Sequence, residues 1–401
     1  MKIDYDIRGL YKKEINEELM NFLAERFYKY LKNKKLPLEI YLGIDTRKSS
    51  ANLASAFASK FLSYPKTKIN YLGIVPTPIL YYLSIKNKKP GVIITASHLP
   101  QKYNGIKFIM PDGANWVYKK INEKFIIAKP LLQIKYKPIV SLPIFEKYLN
   151  EIKKLVKIKN TTTIEILNNS NSTNYFLFKC LPKIFKKIRL NKSKIKIKSD
   201  IDGDRLEIYY KNNLIMPEVL LYIILKTSNY KKVGITFTMH KNILKFFPEI
   251  KFYFVKTGHS NFKASFQKFN LDFAMEPSYH FYFFKEFKTE APIFVLFKFL
   301  KYLEKSRNVN LKGLAKYFPV KRIEIKKKID IENIKKYFEK EKFKIKYFDE
   351  LYFYKIINKD FVGINFRKSK TEENLWKIFI ESSSLYYLNE INKKLKELIN
   401  D

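Results

Sequence analysis

Cysteine is all but missing from this chain. The one present, Cys180, excludes an intrachain disulfide and suits a reducing compartment. Long apolar runs are missing too: the best, APIFVLFKFL, is about half a membrane span and is interrupted by Lys298. The opening MKIDYDIRGL has no apolar core of the signal-peptide kind. There is no Gly-x-Ser-x-Gly elbow, no Walker A loop and no Gly-x-Gly-x-x-Gly fingerprint. These gaps argue against a serine hydrolase, an ordinary nucleotide kinase and a dinucleotide enzyme. They lead us to expect a soluble cytoplasmic protein with no membrane partner.

What is present is size, apolar content and positive charge. At 401 residues the length suggests roughly three domains, and 46% hydrophobic with 16% aromatic residues can fill several cores. The net charge is +40, which together with 63 Phe and Tyr invites a nucleic-acid reading built on stacking and electrostatic attraction. Against it, the charge runs the whole length of the chain, and only eight of the 78 basic residues are arginine. Readers of phosphate and base edges favour the planar fork of Arg. We therefore read the charge as a compositional bias toward lysine on solvated faces, and expect a monomer without a nucleic-acid partner.

Scarcity makes position informative. Four arginines (Arg8, Arg47, Arg205, Arg367) and three of the four histidines (His98, His259, His280) fall in short polar clusters, and six of the eleven glycines sit in or beside them. Glycine permits close backbone approach, and a guanidinium suits phosphate or carboxylate. The combination suggests an anion-handling site assembled from several loops.

Each cluster has its own chemistry. In DIDGDR, Asp200, Asp202 and Asp204 alternate, so on extended backbone they converge on one side and offer a hard oxygen site suited to Mg²⁺. An EF-hand needs Gly and Glu where Arg205 and Lys211 stand, so that reading fails. In ITASHLPQKYNGIKF, apolar residues on both sides predict a loop between buried strands, with a Tyr-Asn-Gly turn near its end. Ser97 is the candidate nucleophile or phosphate carrier, His98 a candidate acid or base, and Lys107 a second cation or proton handler. MEPSYH presents Glu276, Ser278 and His280 at period-2 spacing, able to meet sugar hydroxyls from an extended loop. RKSKT offers Arg367, Ser369, Lys370 and Thr371 as a phosphate cradle. NEELMNFLAERFYKYLKN reads as an amphipathic helix, and PEVLLYIILKTSN as a helix started near Pro217.

Taken in order, the clusters resemble the α-D-phosphohexomutase family. TASHLPQKYNGIK resembles its phosphoserine loop, DIDGDR its metal loop, MEPSYH its sugar loop and RKSKTEE its C-terminal phosphate loop. DIRG, GIDTRKSS and GIVPTP are similar to further landmarks, and KTGHS is most similar to the phosphomannomutase/phosphoglucomutase branch. The resemblance implies three related α/β domains with mixed sheets and a smaller C-terminal α+β domain around a central cleft. Boundaries near 136, 213 and 320 would give a phosphoserine domain, a shortened metal-binding domain, a sugar-binding domain and a phosphate-binding domain.

The activity so implied is interconversion of hexose 6-phosphate and hexose 1-phosphate, of mannose and glucose, through a hexose 1,6-bisphosphate that also serves as activator. Ser97, Asp200, Asp202 and Asp204 would hold Mg²⁺; Arg8, Arg205, Lys107, His98 and His259 would serve the chemistry. Glu276, Ser278, His280, Arg367, Ser369, Lys370 and Thr371 would hold substrate. The chain departs from the family at Leu99, Ile201, Tyr279, Lys370, Glu373 and Trp376. Tyr279 stands where the family has Gly, so its backbone is expected to avoid a conformation costly for a bulky residue. Phosphoglucosamine mutase, a mutase-like scaffold without activity and a nucleic-acid-binding protein are the competing readings.

Overall fold

The computed structural model describes residues 1–3, 6–119, 136–137, 139–167, 173–306, 309–348, 351–369 and 374–400. The chain divides into two units: Met1–Ile215 with Tyr279–Lys305, and Met216–Ser278 with Ser306–Asp401.

The first unit carries two of the larger sheets. Strands β1 (Lys2–Ile3), β2 (Ile7–Leu10), β3 (Glu39–Ile44), β4 (Lys68–Ile74), β5 (Gly91–Ile94), β6 (Tyr103–Ile109) and β7 (Asn115–Trp116) form one sheet, ordered β1-β2-β6-β5-β3-β4, with β7 on β6. The central pairs β3–β4 and β3–β5 are parallel, and β6 and β2 add antiparallel neighbours. Parallel strands need crossovers. Helix α2 (Ser50–Leu62) lies between β3 and β4 in the chain, and α3 (Thr77–Asn87) between β4 and β5.

Helix α1 (Glu17–Asn33) is the amphipathic helix expected from sequence. Asn16 caps it by accepting the Leu19 N–H, a contact worth about 1 kcal/mol. Its Leu19, Leu23, Phe27 and Leu31 are fully buried with Phe57 and Phe61 of α2 and Phe108 of β6. This core fixes where the parallel strands end. Ligand-handling loops follow the carboxyl ends of such strands, and here those ends lead to Asp45, to Thr77 and to Ser97.

Strands β8 (Thr162–Ile166), β9 (Ile188–Leu190), β10 (Ile195–Ser199), β11 (Leu206–Tyr210) and β12 (Asn213–Leu214) form the second sheet, ordered β12-β11-β10-β8-β9. Ser199 pairs with Leu206 across antiparallel β10 and β11, so residues 200–205 are the connection between them.

In the second unit, β13 (Lys232–Ile235), β14 (Lys251–Phe254) and β15 (Phe273–Met275) are parallel, with β13 between the other two. The helix begun by Pro217 runs Pro217–Lys226. The chain then contributes β16 (Phe281–Phe283), antiparallel β17 (Thr289–Glu290) and the helix Pro292–Lys305 to the first unit. That helix contains the apolar run noted above. Among the described residues no helix is long and apolar enough to cross a membrane.

The second unit resumes with an antiparallel sheet of β18 (Val320–Lys326), β19 (Lys344–Tyr347), β20 (Leu351–Ile357), β21 (Asp360–Lys368) and β22 (Leu375–Ser382), ordered β18-β22-β21-β20-β19. Helices Ile331–Lys340 and Leu385–Asn400 bury Ile334, Phe338, Leu388 and Leu395 with Phe353, Phe366 and Ile378. This is the α+β arrangement expected for the C-terminal part. Trp376 belongs to that core, with the Lys368 ammonium 5.2 Å from its ring centroid. The mixed α/β class inferred from sequence is the one observed.

Candidate functional site

Ser97 follows β5 and is buried. Its φ is +55°, in the left-handed region that costs a residue with a Cβ about 1–3 kcal/mol. The surroundings over-determine it. Its N–H donates to Thr95 Oγ1 at 2.9 Å, and its carbonyl accepts from Arg47 Nη2 at 2.8 Å. Arg47 also reaches the Leu99 carbonyl, and it is ion-paired to Asp45 with both partners fully buried. The rare arginine of GIDTRKSS therefore clamps the Ser97 loop. Arg8 on β2 pairs with Asp6, Nε to Oδ2 at 2.7 Å, and both are buried.

The expected Tyr-Asn-Gly turn is absent, because Tyr103, Asn104 and Gly105 are inside β6. Glycine is required for another reason. A Cβ at Gly105 would sit 2.2 Å from the Ile7 carbonyl oxygen and 2.8 Å from that of Thr95. Asn104 instead turns to Ser49 and Ser50 at the start of α2. Lys107, three residues along from Asn104, reaches Asp202 Oδ2 at 2.8 Å and Asp204 Oδ2 at 3.6 Å.

The three aspartates converge, but not on extended backbone. Residues 201–203 bend, with Gly203 at φ +75° and its missing Cβ leaving room for the Asn174 amide. Convergence thus comes from a tight turn rather than from strand alternation. One carboxylate oxygen from each of Asp200, Asp202 and Asp204 lies within 4.8 Å of the others. Asp200 Oδ2, Asp202 Oδ1 and Asp204 Oδ1 are buried and have no hydrogen-bond partner. Three carboxylates gathered this closely are the donor set a hard divalent cation takes.

Their protonation follows from the surroundings. Burial, then the charges of Asp204 and Asp202, push the Asp200 carboxyl well above its usual range. Burial pushes Asp202 upward too, but Lys107, Arg8 and the Thr77 hydroxyl outweigh it and hold that carboxyl well below its usual range. Thr77 donates its Oγ1 hydrogen to Asp202 Oδ2 at 3.0 Å and its N–H to the Asp202 carbonyl at 2.8 Å.

Arg205 ties this cluster to the Ser97 loop. Its N–H donates to Asp200 Oδ1 at 3.2 Å, while its guanidinium meets His98 Nδ1 at 3.2 Å and His280 Nε2 at 3.0 Å. Burial, reinforced by Arg205 and Arg8, lowers His98 to about 3, so this ring is uncharged at neutral pH. Burial works to lower His280 as well, but the nearby Asp204 and Glu290 raise it on balance. The contact with Arg205 decides between these tendencies. At 3.0 Å, Arg205 Nε–H and an Nε2–H could not share the space, so Nε2 accepts and the ring is neutral.

The second unit holds the other candidates. Glu276 Oε2 accepts from Ser278 Oγ at 3.0 Å, and Glu276 Oε1 accepts the Gly258 N–H at 3.1 Å. Gly258, at φ +118°, precedes the helix His259–Phe269, so Glu276, Ser278 and the turn bearing buried His259 form one group. MEPSYH is not the extended loop expected: Pro277 and Ser278 form a turn. Tyr279 also contradicts the expectation, since its φ is +65°. Its hydroxyl donates to the Ile215 carbonyl at 3.1 Å, and its own carbonyl accepts from Leu206 N–H at 3.4 Å. Those contacts stabilise a conformation that glycine would adopt more cheaply. Arg367 is on β21, and the N–H of Ser369 donates to the Leu375 carbonyl at 2.7 Å. Lys370 and Thr371 lie outside the described residues.

Sequence reasoning missed Asp6, Asp45, Thr77 and Glu290. The first three stand in DIRG, GIDTRKSS and GIVPTP, beside residues already singled out. Glu290 leaves a fainter signal, a lone acid at the head of an apolar helix.

Comparison with known proteins gives concordant matches. Residues 3–126 match the model of phosphoglucomutase/phosphomannomutase alpha/beta/alpha domain I, and residues 219–319 match that of domain III, together more than half of the chain. A phosphomannomutase of Methanocaldococcus jannaschii is 28% identical over 359 residues, covering 78% of each chain. A phosphoglucosamine mutase of Clostridium kluyveri is 37% identical over 142 residues, 35% of this chain and 30% of that protein. The crystal structure of a phosphoglucomutase/phosphomannomutase family protein from Burkholderia thailandensis superposes with a TM-score of 0.75 at 18% identity, over 99% of this chain and 96% of that one. With both domain models matched, the chain belongs to the α-D-phosphohexomutase family.

Proposed function

We propose that this protein is a Mg²⁺-dependent mutase that interconverts hexose 6-phosphate and hexose 1-phosphate, of mannose and glucose, through a phosphoserine at Ser97. The observation that carries the proposal is the cluster of three carboxylates, each with a buried oxygen that accepts no hydrogen bond, joined through Arg205 to His98 beside Ser97. A divalent cation held by Asp200, Asp202, Asp204 and the Ser97 phosphoryl group would supply charge neutralisation during transfer.

The chain's own groups do the rest. Phosphoryl transfer needs mainly positioning and charge stabilisation. The phosphoryl group leaves Ser97 Oγ for the free hydroxyl of the bound sugar phosphate, whose proton is lost as Ser97 Oγ regains one, forming a hexose 1,6-bisphosphate and a free serine. That species turns over, and its other phosphoryl group returns to Ser97. Arg205 and Lys107 are fixed cations on this wall, Lys107 held by Asp202 and Asp204. His98 accepts from Arg205 at Nδ1, which leaves its Nε2–H to donate toward phosphate. Glu276 and Ser278 hold sugar hydroxyls, with His259 beside them, and Arg367 and Ser369 receive the non-reacting phosphate. The division at 136, 213 and 320 assigns one such loop to each of four domains.

The test is a coupled assay on wild type beside Ser97→Ala, with intact mass after incubation with glucose 1,6-bisphosphate. Loss of about three orders of magnitude or more and of one phosphoryl mass is expected. Near-normal rates in the variant would refute the nucleophile. A glucosamine substrate is the second reading, favoured by the relatives named phosphoglucosamine mutase, which reach 41% identity over 108 residues. A panel of mannose, glucose and glucosamine phosphates separates the two.

A further inference from the structure

Glu290 is fully buried on β17, where Tyr282 is its cross-strand partner. Its Oε1 lies 3.7 Å from His280 Nδ1, and Asp204 Oδ1 lies 3.9 Å from the same nitrogen. Both are longer than a direct hydrogen bond, yet both put negative charge on the Nδ1 side of the ring. On the other side, Nε2 accepts from Arg205 Nε at 3.0 Å. Donation at one nitrogen and carboxylates at the other select the same neutral tautomer, with its hydrogen on Nδ1.

The same three residues, Asp204, His280 and Glu290, have ligand atoms close enough to hold a cation. The tautomer speaks against that use. A metal on Nδ1 needs its lone pair there, while Arg205 already takes the lone pair on Nε2. When a cation at the aspartate cluster takes Asp204, Glu290 is the carboxylate still facing Nδ1. That carboxylate is fully buried, and the His280 N–H nitrogen is 3.7 Å from its Oε1.

We propose that Glu290 is a positioning residue: by fixing the Nδ1–H tautomer of His280 it makes Nε2 the anchor that holds the Arg205 guanidinium beside His98 and the Ser97 loop. The chain of contacts runs from Glu290 to His280, Arg205 and His98. It places an acid of β17, remote in sequence from DIDGDR, in control of the guanidinium that meets His98. The kinetic part of this proposal rests on the mutase reading; the tautomer does not.

The experiment uses the full chain labelled with ¹⁵N-histidine, whose four imidazoles are resolved by long-range NMR correlation, with His280→Asn for assignment. In wild type, His280 is expected as the Nδ1–H tautomer. Glu290→Leu, which cannot accept, should move it toward Nε2–H and lower kcat about tenfold with KM within about twofold, the usual scale for an orienting partner. Glu290→Gln, whose amide oxygen can accept, should restore the tautomer and most of kcat. An Nε2–H ring in wild type overturns the proposal. So does a folded Glu290→Leu protein with kcat within twofold of wild type, or one that has lost a second bound Mg²⁺. Should Glu290→Leu not fold, the wild-type tautomer and the Glu290→Gln rate decide. Absence of any wild-type turnover would defeat the mutase reading instead, and the wild-type tautomer would still decide the role of Glu290.

Discussion

Replacing Lys107 with Met tests the cation site without touching a carboxylate. Methionine keeps an unbranched apolar stem of similar reach and removes the charge. At 2.8 Å, with an effective dielectric near 20, the Lys107–Asp202 attraction is roughly 6 kcal/mol before desolvation is subtracted. Removing one member of a buried pair costs about 3–5 kcal/mol, because the other is left uncompensated. Here two buried acids, Asp202 and Asp204, lose the same cation.

The expected result is a loss of about 3–5 kcal/mol in EDTA, which Mg²⁺ should largely reverse. Wild type should gain about 2.7 kcal/mol at a hundredfold excess of Mg²⁺ over Kd, and the variant should gain more because its carboxylates are less neutralised. The chain's two tryptophans provide the assay. Trp116 packs against the first-unit core and Trp376 lies within the C-terminal core. In a Trp376→Phe background, urea unfolding followed by fluorescence reports the first unit alone. A Lys107→Met midpoint in EDTA equivalent to less than about 1 kcal/mol of destabilisation would refute the buried-pair argument. A Mg²⁺ gain no larger than wild type would refute the coupling to the aspartates.

Tyr279→Phe should lose about 1 kcal/mol with the hydrogen bond to Ile215, whereas Tyr279→Gly should be close to neutral, since it also relieves the left-handed backbone; paired urea midpoints check this, and a Phe variant as stable as wild type would refute it. Lys241, largely enclosed by Phe237, Tyr352 and Phe379 and paired to Glu381, has its ammonium pKa lowered by burial despite Glu381. Between that lowered value and the ordinary value near 10.5 the unfolded chain binds the extra proton, so this residue's contribution to stability rises with pH. The stability of wild type relative to Lys241→Met should therefore improve as pH climbs toward 10.5. A relative stability that falls over that window would contradict the sign.

How much of this was legible in the sequence follows from distance along the chain. The Ser97 loop was readable because GVII and IKF flank it, and β5 and β6 are those strands. Helix α1 was readable because its apolar residues recur on one face. The backbone of DIDGDR was not: three alternating acids suggest an extended run, and only Gly203 hinted at the turn that brings them together. Tyr279 misled for the opposite reason. A bulky residue argues against positive φ until the partner is known, and that partner, the Ile215 carbonyl, is 64 residues away. Glu290 escaped notice because its meaning depends on the register of β16 and β17.

Composition turned out to be local structure in disguise. Lysine and aromatic residues are both abundant, and in several places they stand four residues apart with the ammonium near the ring: Lys86 at 5.1 Å from Tyr82, Lys226 at 5.7 Å from Tyr222, Lys298 at 4.9 Å from Phe294. On a helix that spacing puts the two side chains on one face. Each such contact contributes about 0.5–1 kcal/mol when exposed, and the lysine stem covers ring surface that would otherwise meet water. The positive charge is thus spread out because its aromatic partners are. Arginine joins in at Arg26, whose guanidinium lies 4.8 Å from the Phe22 ring centroid at the same spacing on α1. Arg47 holds the Ser97 and Leu99 carbonyls, and Arg205 meets the His98 imidazole. Two of only eight arginines meeting on one loop is what makes the rare cation a pointer to the site.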